Sequence, residues 1–166
     1  MNTKDIKKSL LEYIQVILVT VVITVSVLYF VQISRVVGTS MEPTYHNGNI
    51  VLVDKFFYKR SEPSYNDIVV AKYHVNSNED QIIKRVIGIP GDHIEMKDNN
   101  LYRNGELIVE DYILEPMVNN EDFSYDVPEG KVFVMGDNRN NSVDSRMIGY
   151  IDFKEEIVGR VFFKVF

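Results

Sequence analysis

The chain has 166 residues, with 18 Lys and Arg against 24 Asp and Glu, a formal net charge of −6, and no cysteine. An acidic chain of this size does not present the broad basic face that nucleic acid requires. The missing cysteines exclude a disulfide frame, a thiol nucleophile and cysteine-based metal sites.

The first element in chain order is a run from Tyr13 to Ile33 that carries no charge and is rich in Val, Ile and Leu. At 1.5 Å per residue it reaches about 30 Å, the thickness of a hydrocarbon core. β-Branched residues form helices poorly in water, but a bilayer offers the backbone no partner except itself, so the run is expected to be a transmembrane helix. Tyr13, Tyr29 and Phe30 lie near its ends, where amphipathic rings settle at the interface. A cleavable secretory leader has an apolar core of only about 7 to 15 residues and a small-residue cleavage site. The run is longer than that, and the chain's lone alanine is Ala71, far downstream, so the anchor is expected to be retained. Lys4, Lys7 and Lys8 precede it against Asp5 and Glu12, while Arg35 alone follows closely, which places residues 1–12 in the cytoplasm and everything after Ile33 outside.

Residues 34–166 are then one extracytoplasmic domain. Short Val-, Ile-, Tyr- and Phe-rich runs bounded by turn residues predict a mainly β fold of coiled, antiparallel, barrel-like sheets. Strands are expected at Asn49–Val53, Asp67–Tyr73, Gln81–Ile87, Leu101–Tyr102, Glu106–Ile108, Lys131–Val134 and Ile157–Phe166. Asn104-Gly105 is a hairpin signal, and Asn47-Gly48 and Glu129-Gly130 are turn signals. The polar stretch 93–130 is expected to be a small β-ribbon insertion outside the main core. Phe56-Phe57-Tyr58, between Lys55 and Lys59, fits either a core strand or a segment dipping into the membrane interface.

Three segments can carry chemistry. In Gly38-Thr39-Ser40-Met41-Glu42-Pro43-Thr44 a serine follows a flexible glycine and precedes a Pro-bounded turn. That setting exposes a hydroxyl near free backbone N–H groups, although these residue types also build ordinary turns. Lys84, flanked by Ile82, Ile83, Val86 and Ile87, fits either a solvated strand position beside a buried Arg85 or an inward-pointing amine. Desolvation would lower the pKa of an inward amine and make it a usable general base for Ser40. The third segment, Gly136 to Arg146, packs short polar side chains into one loop after an apolar strand. There Asp144 and Arg146 can pair and Ser142 can accept a hydrogen bond from Lys84. An EF-hand is excluded by the acid spacing. His46, His74 and His93 have no ligand spacing, so no metal or organic cofactor is implied.

Together, in this order behind an N-terminal span, these segments resemble the bacterial type I signal peptidases. The family's boxes S-M-x-P-T, K-R-x-x-G-x-P-G-D and G-D-N-R-x-x-S-x-D-S-R are met at every specified position by Ser40–Thr44, Lys84–Asp92 and Gly136–Arg146. A further box, G-D-x-V-x-V, stands here as Asn66-Asp67-Ile68-Val69-Val70, with Asn66 where glycine is usual. The resemblance implies a membrane-bound serine endopeptidase with Ser40 as nucleophile, Lys84 as general base and Ser142 orienting the amine. It also implies that Asp144 and Arg146 form a structural ion pair and that Asp137 supports the same loop. In some members a hydroxyl two residues before the nucleophile helps to hold the oxyanion; here that position is Gly38, so the donor must be backbone or water.

The implied partners are the lipid membrane and secretory preproteins with small residues at −1 and −3. Val36, Met41 and Ile83 are the candidate walls of the shallow pockets that exclude larger side chains. The short insertion resembles the compact Gram-positive form, and the Asn-, Lys-, Ile- and Tyr-rich composition points to a low-GC genome. Six residues separate Ile33 from Ser40, which keeps the serine within about 25 Å of the end of the span. Two rivals remain at this stage. A self-cleaving repressor with a Ser-Lys dyad would need a DNA-binding module and no span. A catalytically silent factor for pilus or surface-protein assembly would lack one dyad member.

Overall fold

The computed structural model describes residues 3–75, 78–118 and 121–166. It opens with helix α1, Thr3–Phe30, and strand β1, Val31–Arg35. The 25 residues from Ile6 to Phe30 form the one helix among the described residues long and apolar enough to cross a membrane, and that helix is not buried against the rest of the chain. Its Thr20 and Ser26 hydroxyls donate to the carbonyls of Val16 and Val22 at 2.8 Å, so neither seeks a partner outside the helix.

The helix stops three residues short of the expected Ile33. Val31, Gln32 and Ile33 instead pair antiparallel with Asp54, Val53 and Leu52 of β2, Ile50–Asp54. Hydropathy alone does not separate a helix from a strand, and here a distant partner decides. Lys55 closes the helix end, its backbone N–H donating to the Phe30 carbonyl at 3.1 Å and its Nζ to that of Leu28 at 3.3 Å. Around this junction Tyr29, Phe30, Phe56 and Phe57 form an aromatic cluster, with the Arg60 guanidinium 3.5 Å from the Phe56 ring centre. Phe56-Phe57-Tyr58 is therefore not a strand: it leads into a 3-10 turn at Tyr58–Arg60, with Tyr58 buried and Phe57 exposed.

The remaining strands are β3 (Ile68–Val75), β4 (Asn78–Gly88), β5 (His93–Lys97), β6 (Asn100–Arg103), β7 (Glu106–Leu107), β8 (Phe123–Asp126), β9 (Lys131–Met135), β10 (Ile151–Asp152) and β11 (Ile157–Lys164), with a short helix α2 at Ser145–Ile148. They form a seven-stranded sheet ordered β1-β2-β11-β3-β4-β9-β10 and a four-stranded sheet ordered β7-β6-β5-β8, antiparallel throughout. The mainly β, antiparallel fold is as the sequence indicates, and each anticipated strand is present within a few residues.

The sequence does not announce β1, β5, β8 or the two-residue β10. β5 alternates, with Ile94 and Met96 fully inside, and it joins β6 through Asp98 and Asn99, both at positive φ (51° and 61°). The expected hairpin at Asn104-Gly105 has the same paired positive φ, 55° and 82°, which suits the right-handed twist of its strands. The polar stretch does not lie outside the core as expected. Ile94, Met96 and Leu101 share one hydrophobic cluster with Ile87, Phe133 and Met135 of the main sheet. Asp92 fastens the two sheets by accepting from Arg103 Nε at 2.7 Å, Asn104 Nδ2 at 2.8 Å and the Ile89 N–H at 2.9 Å.

Candidate active site

The segment between β1 and β2 returns on itself through bonds from Val36 N to Asn49 O (2.8 Å) and Gly48 N to Val36 O (2.9 Å). Val36, Met41 and Tyr45 anchor it in a cluster with Val51, Val53 and Val70. Met41 is buried next door, so Ser40 is carried on a turn whose own side chains are fixed in the core. Gly38 has φ +89°, a conformation that favours glycine over any residue with a hydroxyl.

Lys84 and Arg85 are neighbours on β4, so their side chains leave opposite faces of the strand. Both faces are covered: Lys84 is 3% and Arg85 8% exposed. Of the two sequence alternatives the inward Lys84 is the one realised and the solvated one is not, while Arg85 is buried on the opposite face as well. Lys84 Nζ donates to Ser40 Oγ at 2.8 Å and to the Ile83 carbonyl at 2.9 Å. Burial pulls the Lys84 amine down from its ordinary 10.5 to about 8, against the opposing pull of the Asp144 and Asp137 charges. Arg85 grips Asp137 with two bonds, Nε to Oδ1 at 2.8 Å and Nη2 to Oδ2 at 2.7 Å. Desolvation opposes the Arg85 charge, but the Asp137 contact outweighs it and raises its pKa. Thr44 of the serine segment donates to Asp137 as well, so one buried carboxylate ties the serine segment to the lysine strand.

The polar loop after β9 closes the site. Asn138 N–H donates to the Ser40 carbonyl at 3.0 Å, and Asn138 Nδ2 donates to the Thr39 carbonyl at 3.2 Å. The expected Asp144–Arg146 pair is formed, Nε to Oδ1 and Nη2 to Oδ2 both at 2.8 Å, and Asp144 also accepts from Gly136 N–H at 3.0 Å. A Cβ on Gly136 would sit 2.5 Å from the Ser40 carbonyl oxygen and 2.3 Å from Ser142 Oγ, so only glycine lets the loop come this close. The anticipated bond between Ser142 and Lys84 is not made: the Ser142 hydroxyl is buried without a hydrogen-bond partner among the described residues, and Ile83 supplies the second acceptor for Nζ. Asn66, in place of the usual glycine, has φ +70°, which asparagine tolerates better than most residues.

Ser40 and Lys84 open into a cavity of about 410 Å³. One wall is Ser34–Val37 and the other Asp80–Ile83, with Val70 and Met41 between them, so Val36, Met41 and Ile83 are all among its lining residues. Val70 was not read from the sequence; its register partner on β4 is Ile83, and that pairing sets its place. β4 pairs with β9 only over Arg85–Gly88, so beside the cavity the β9-facing edge of its earlier residues is open among the described residues.

Neither His46 nor His93 lines this cavity. His46 contacts Glu42 at 3.4 Å, and the side chain of His74 falls outside the described residues. His93 Nδ1 lies 2.6 Å from Asp126 Oδ1 and its Nε2 3.2 Å from Ser124 Oγ, on the outer face of the smaller sheet. The Asp126 side chain is 90% exposed, so water competes with every bond in that chain.

The family model described as signal peptidase, peptidase S26, matches residues 10–166. Signal peptidase I of Bacillus licheniformis is 39% identical over 92% of this chain and 87% of its own length. Signal peptidase IB of Staphylococcus aureus is 38% identical over 95% of the chain and 90% of its length. Among solved structures, a signal peptidase I from Enterococcus faecalis V583 is 32% identical and superposes with a TM-score of 0.51 over 61% of this chain and 98% of that one. The chain belongs to the signal peptidase, peptidase S26, family, and is a hydrolase of peptide bonds.

Proposed function

We propose that this chain removes signal peptides from exported preproteins with Ser40 as nucleophile and Lys84 as general base, at the outer face of the cytoplasmic membrane. The 2.8 Å contact between Ser40 Oγ and the desolvated Lys84 Nζ carries this reading. When Lys84 is neutral, its N–H keeps the Ile83 carbonyl and its lone pair accepts the Ser40 proton. Oγ then attacks the scissile carbonyl, and the oxyanion meets the Ser40 backbone N–H, Gly38 offering no side-chain donor. The resulting ammonium protonates the leaving amine, which departs as the N-terminus of the mature protein; an ester of the signal peptide to Ser40 remains, and water activated by the same amine hydrolyses it to release the signal peptide. Asp137 and the Asp144–Arg146 pair hold the loop that fixes the Ser40 carbonyl, and Ser142 packs beneath it.

An extended segment of substrate fits between the Ser34–Val37 wall and the open edge of β4, where main-chain pairing supplies affinity. The apolar walls at Val36 and Ile83 favour small side chains next to the scissile bond. α1 then spans the membrane once, with residues 1–12 inside, and the aromatic cluster at its end lies at the interface. A silent assembly factor would lack a dyad member, and both are present.

Ser40→Ala and Lys84→Ala, assayed on a preprotein in detergent or vesicles, are each expected to lose at least about a thousandfold in turnover while staying folded. Near-normal turnover by either variant removes the dyad from the reaction. Because the chain has no cysteine, topology is read from single introduced cysteines: one in the β domain is expected to react with a membrane-impermeant thiol reagent on whole cells, and one in residues 1–12 to be protected.

A further inference from the structure

The segment after β7 returns from the smaller sheet and lies along the polar loop from Gly136 to Asn141. Leu114 N–H donates to the Asp137 carbonyl at 3.0 Å, Val118 N–H donates to Asn140 Oδ1 at 3.1 Å, and Asn140 Nδ2 donates to the Pro116 carbonyl at 3.0 Å. Two side chains fasten this strap more deeply. Glu110, its side chain 6% exposed, pairs with fully buried Arg139 through both terminal guanidinium nitrogens, Nη1 at 2.7 Å and Nη2 as well, while Arg139 Nε donates to the Gly136 carbonyl at 3.0 Å. Tyr112 donates to Glu110 at 2.9 Å and lays its ring 4.0 Å from the Arg85 guanidinium carbon. None of the family boxes includes residues 110–118, and neither side chain lines the dyad cavity.

We infer that Glu110 and Tyr112 are positioning residues for the dyad. The strap grips it from both sides. Through Arg139 it sets the loop whose Asn138 N–H holds the Ser40 carbonyl, and through the Tyr112 ring it sets the guanidinium adjoining Lys84 on β4. A stacked, desolvated guanidinium is fixed in plane as well as in position, and a buried bidentate pair resists shear between the segments it joins. The 2.8 Å contact of Ser40 with Lys84 is thereby held by a part of the chain that reaches it from the smaller sheet. This inference rests on the proposed dyad and adds to it.

The test is steady-state cleavage of a preprotein by the full-length chain in detergent, for Glu110→Gln, Tyr112→Leu and Tyr112→Phe, with far-ultraviolet circular dichroism confirming the fold at the assay temperature. Since misplacement by an ångström costs on the order of a hundredfold, Glu110→Gln and Tyr112→Leu are expected to lower kcat by about tenfold to a hundredfold with KM unchanged. Tyr112→Phe, which keeps the ring over Arg85, is expected to recover most of the rate. Acylation of Ser40 by the preprotein, read as the single-turnover rate at saturating enzyme, is expected to slow by the same factor. Folded variants with wild-type kcat and only a lowered unfolding temperature overturn the inference, as does a rise in KM without loss of acylation rate. Should Glu110→Gln not fold, the two Tyr112 variants decide. Activity surviving in Ser40→Ala or Lys84→Ala would instead overturn the dyad, so the two failures are distinct.

Discussion

Among the described residues, two places bring a serine hydroxyl within reach of a lysine or histidine nitrogen. At Ser40 the nitrogen is the amine of Lys84, a residue 3% exposed, held at 2.8 Å, in a cavity and braced by buried ion pairs. At Ser124 the base is the His93 imidazole at 3.2 Å, aligned by Asp126, which stands almost wholly in water. By atom types the second resembles the better-known nucleophile–histidine–carboxylate arrangement. What it lacks is burial: nothing dries the imidazole, raises the worth of its contact with the carboxylate, or walls a place for substrate. Environment, more than residue type, separates a site from a surface hydrogen-bond chain, and the contrast predicts how each should respond to change.

The largest stability difference should come from removing a carboxylate in each place. Asp137→Ala leaves the Arg85 guanidinium buried and unpaired, and is expected to cost about 3–5 kcal/mol. Asp126→Ala removes a solvent-screened partner worth roughly 0–1 kcal/mol. Urea unfolding followed by circular dichroism checks both. Equal losses would mean that burial does not set the difference.

Next in size is the pH profile. With the Lys84 amine at about 8, kcat/KM for a preprotein is expected to climb about tenfold per pH unit below that value and to level off above it. An unperturbed lysine would still be climbing at pH 10, and a base outside the chain's lysines would give a flat profile through neutrality.

The same shift costs stability at neutral pH. The folded pKa of Lys84 lies below its ordinary 10.5, so between about 8 and 10.5 the unfolded chain binds a proton that the folded chain has released, and stability rises with pH across that window. Below about 8 both states are charged, and the fold bears the full burial cost of roughly 3 kcal/mol. Lys84→Met is therefore expected to be inactive yet about 1–3 kcal/mol more stable at pH 7, the lost bonds to Ser40 and Ile83 offsetting part of the gain. By pH 10.5 the advantage should vanish. Unfolding midpoints at the two pH values measure it, and a destabilised variant at pH 7 would show the lysine to be a structural tie.

How much of this was legible follows from the range of the interactions. The proposed dyad, the Asp144–Arg146 pair and the residues that line the cavity lie in or beside dense local motifs, and most strands announce themselves by β-branched runs. β1 was hidden because Val31–Ile33 continue an apolar run, and only the distant β2 makes them a strand. β5 was hidden by its polar residues, although Ile94 and Met96 alternate and Asp98-Asn99 is a usable turn signal. The lysine's second acceptor, the Ile83 carbonyl, belongs to the backbone, which has no letter in a sequence. The grip of Glu110 on Arg139 spans 29 positions, and nothing local to either residue names the other.

The smallest expected effect closes the comparison. Ser124→Ala and His93→Ala leave the dyad, its cavity and its braces untouched. The bonds they remove compete with water on an exposed strand face, so preprotein turnover is expected to be unchanged and stability to move by less than about 0.5 kcal/mol. The paired measurement is turnover of the same preprotein beside an unfolding curve. A fall in turnover in either variant, with the unfolding midpoint held, would mean that the exposed chain takes part in the reaction and that desolvation is not what distinguishes the two serines.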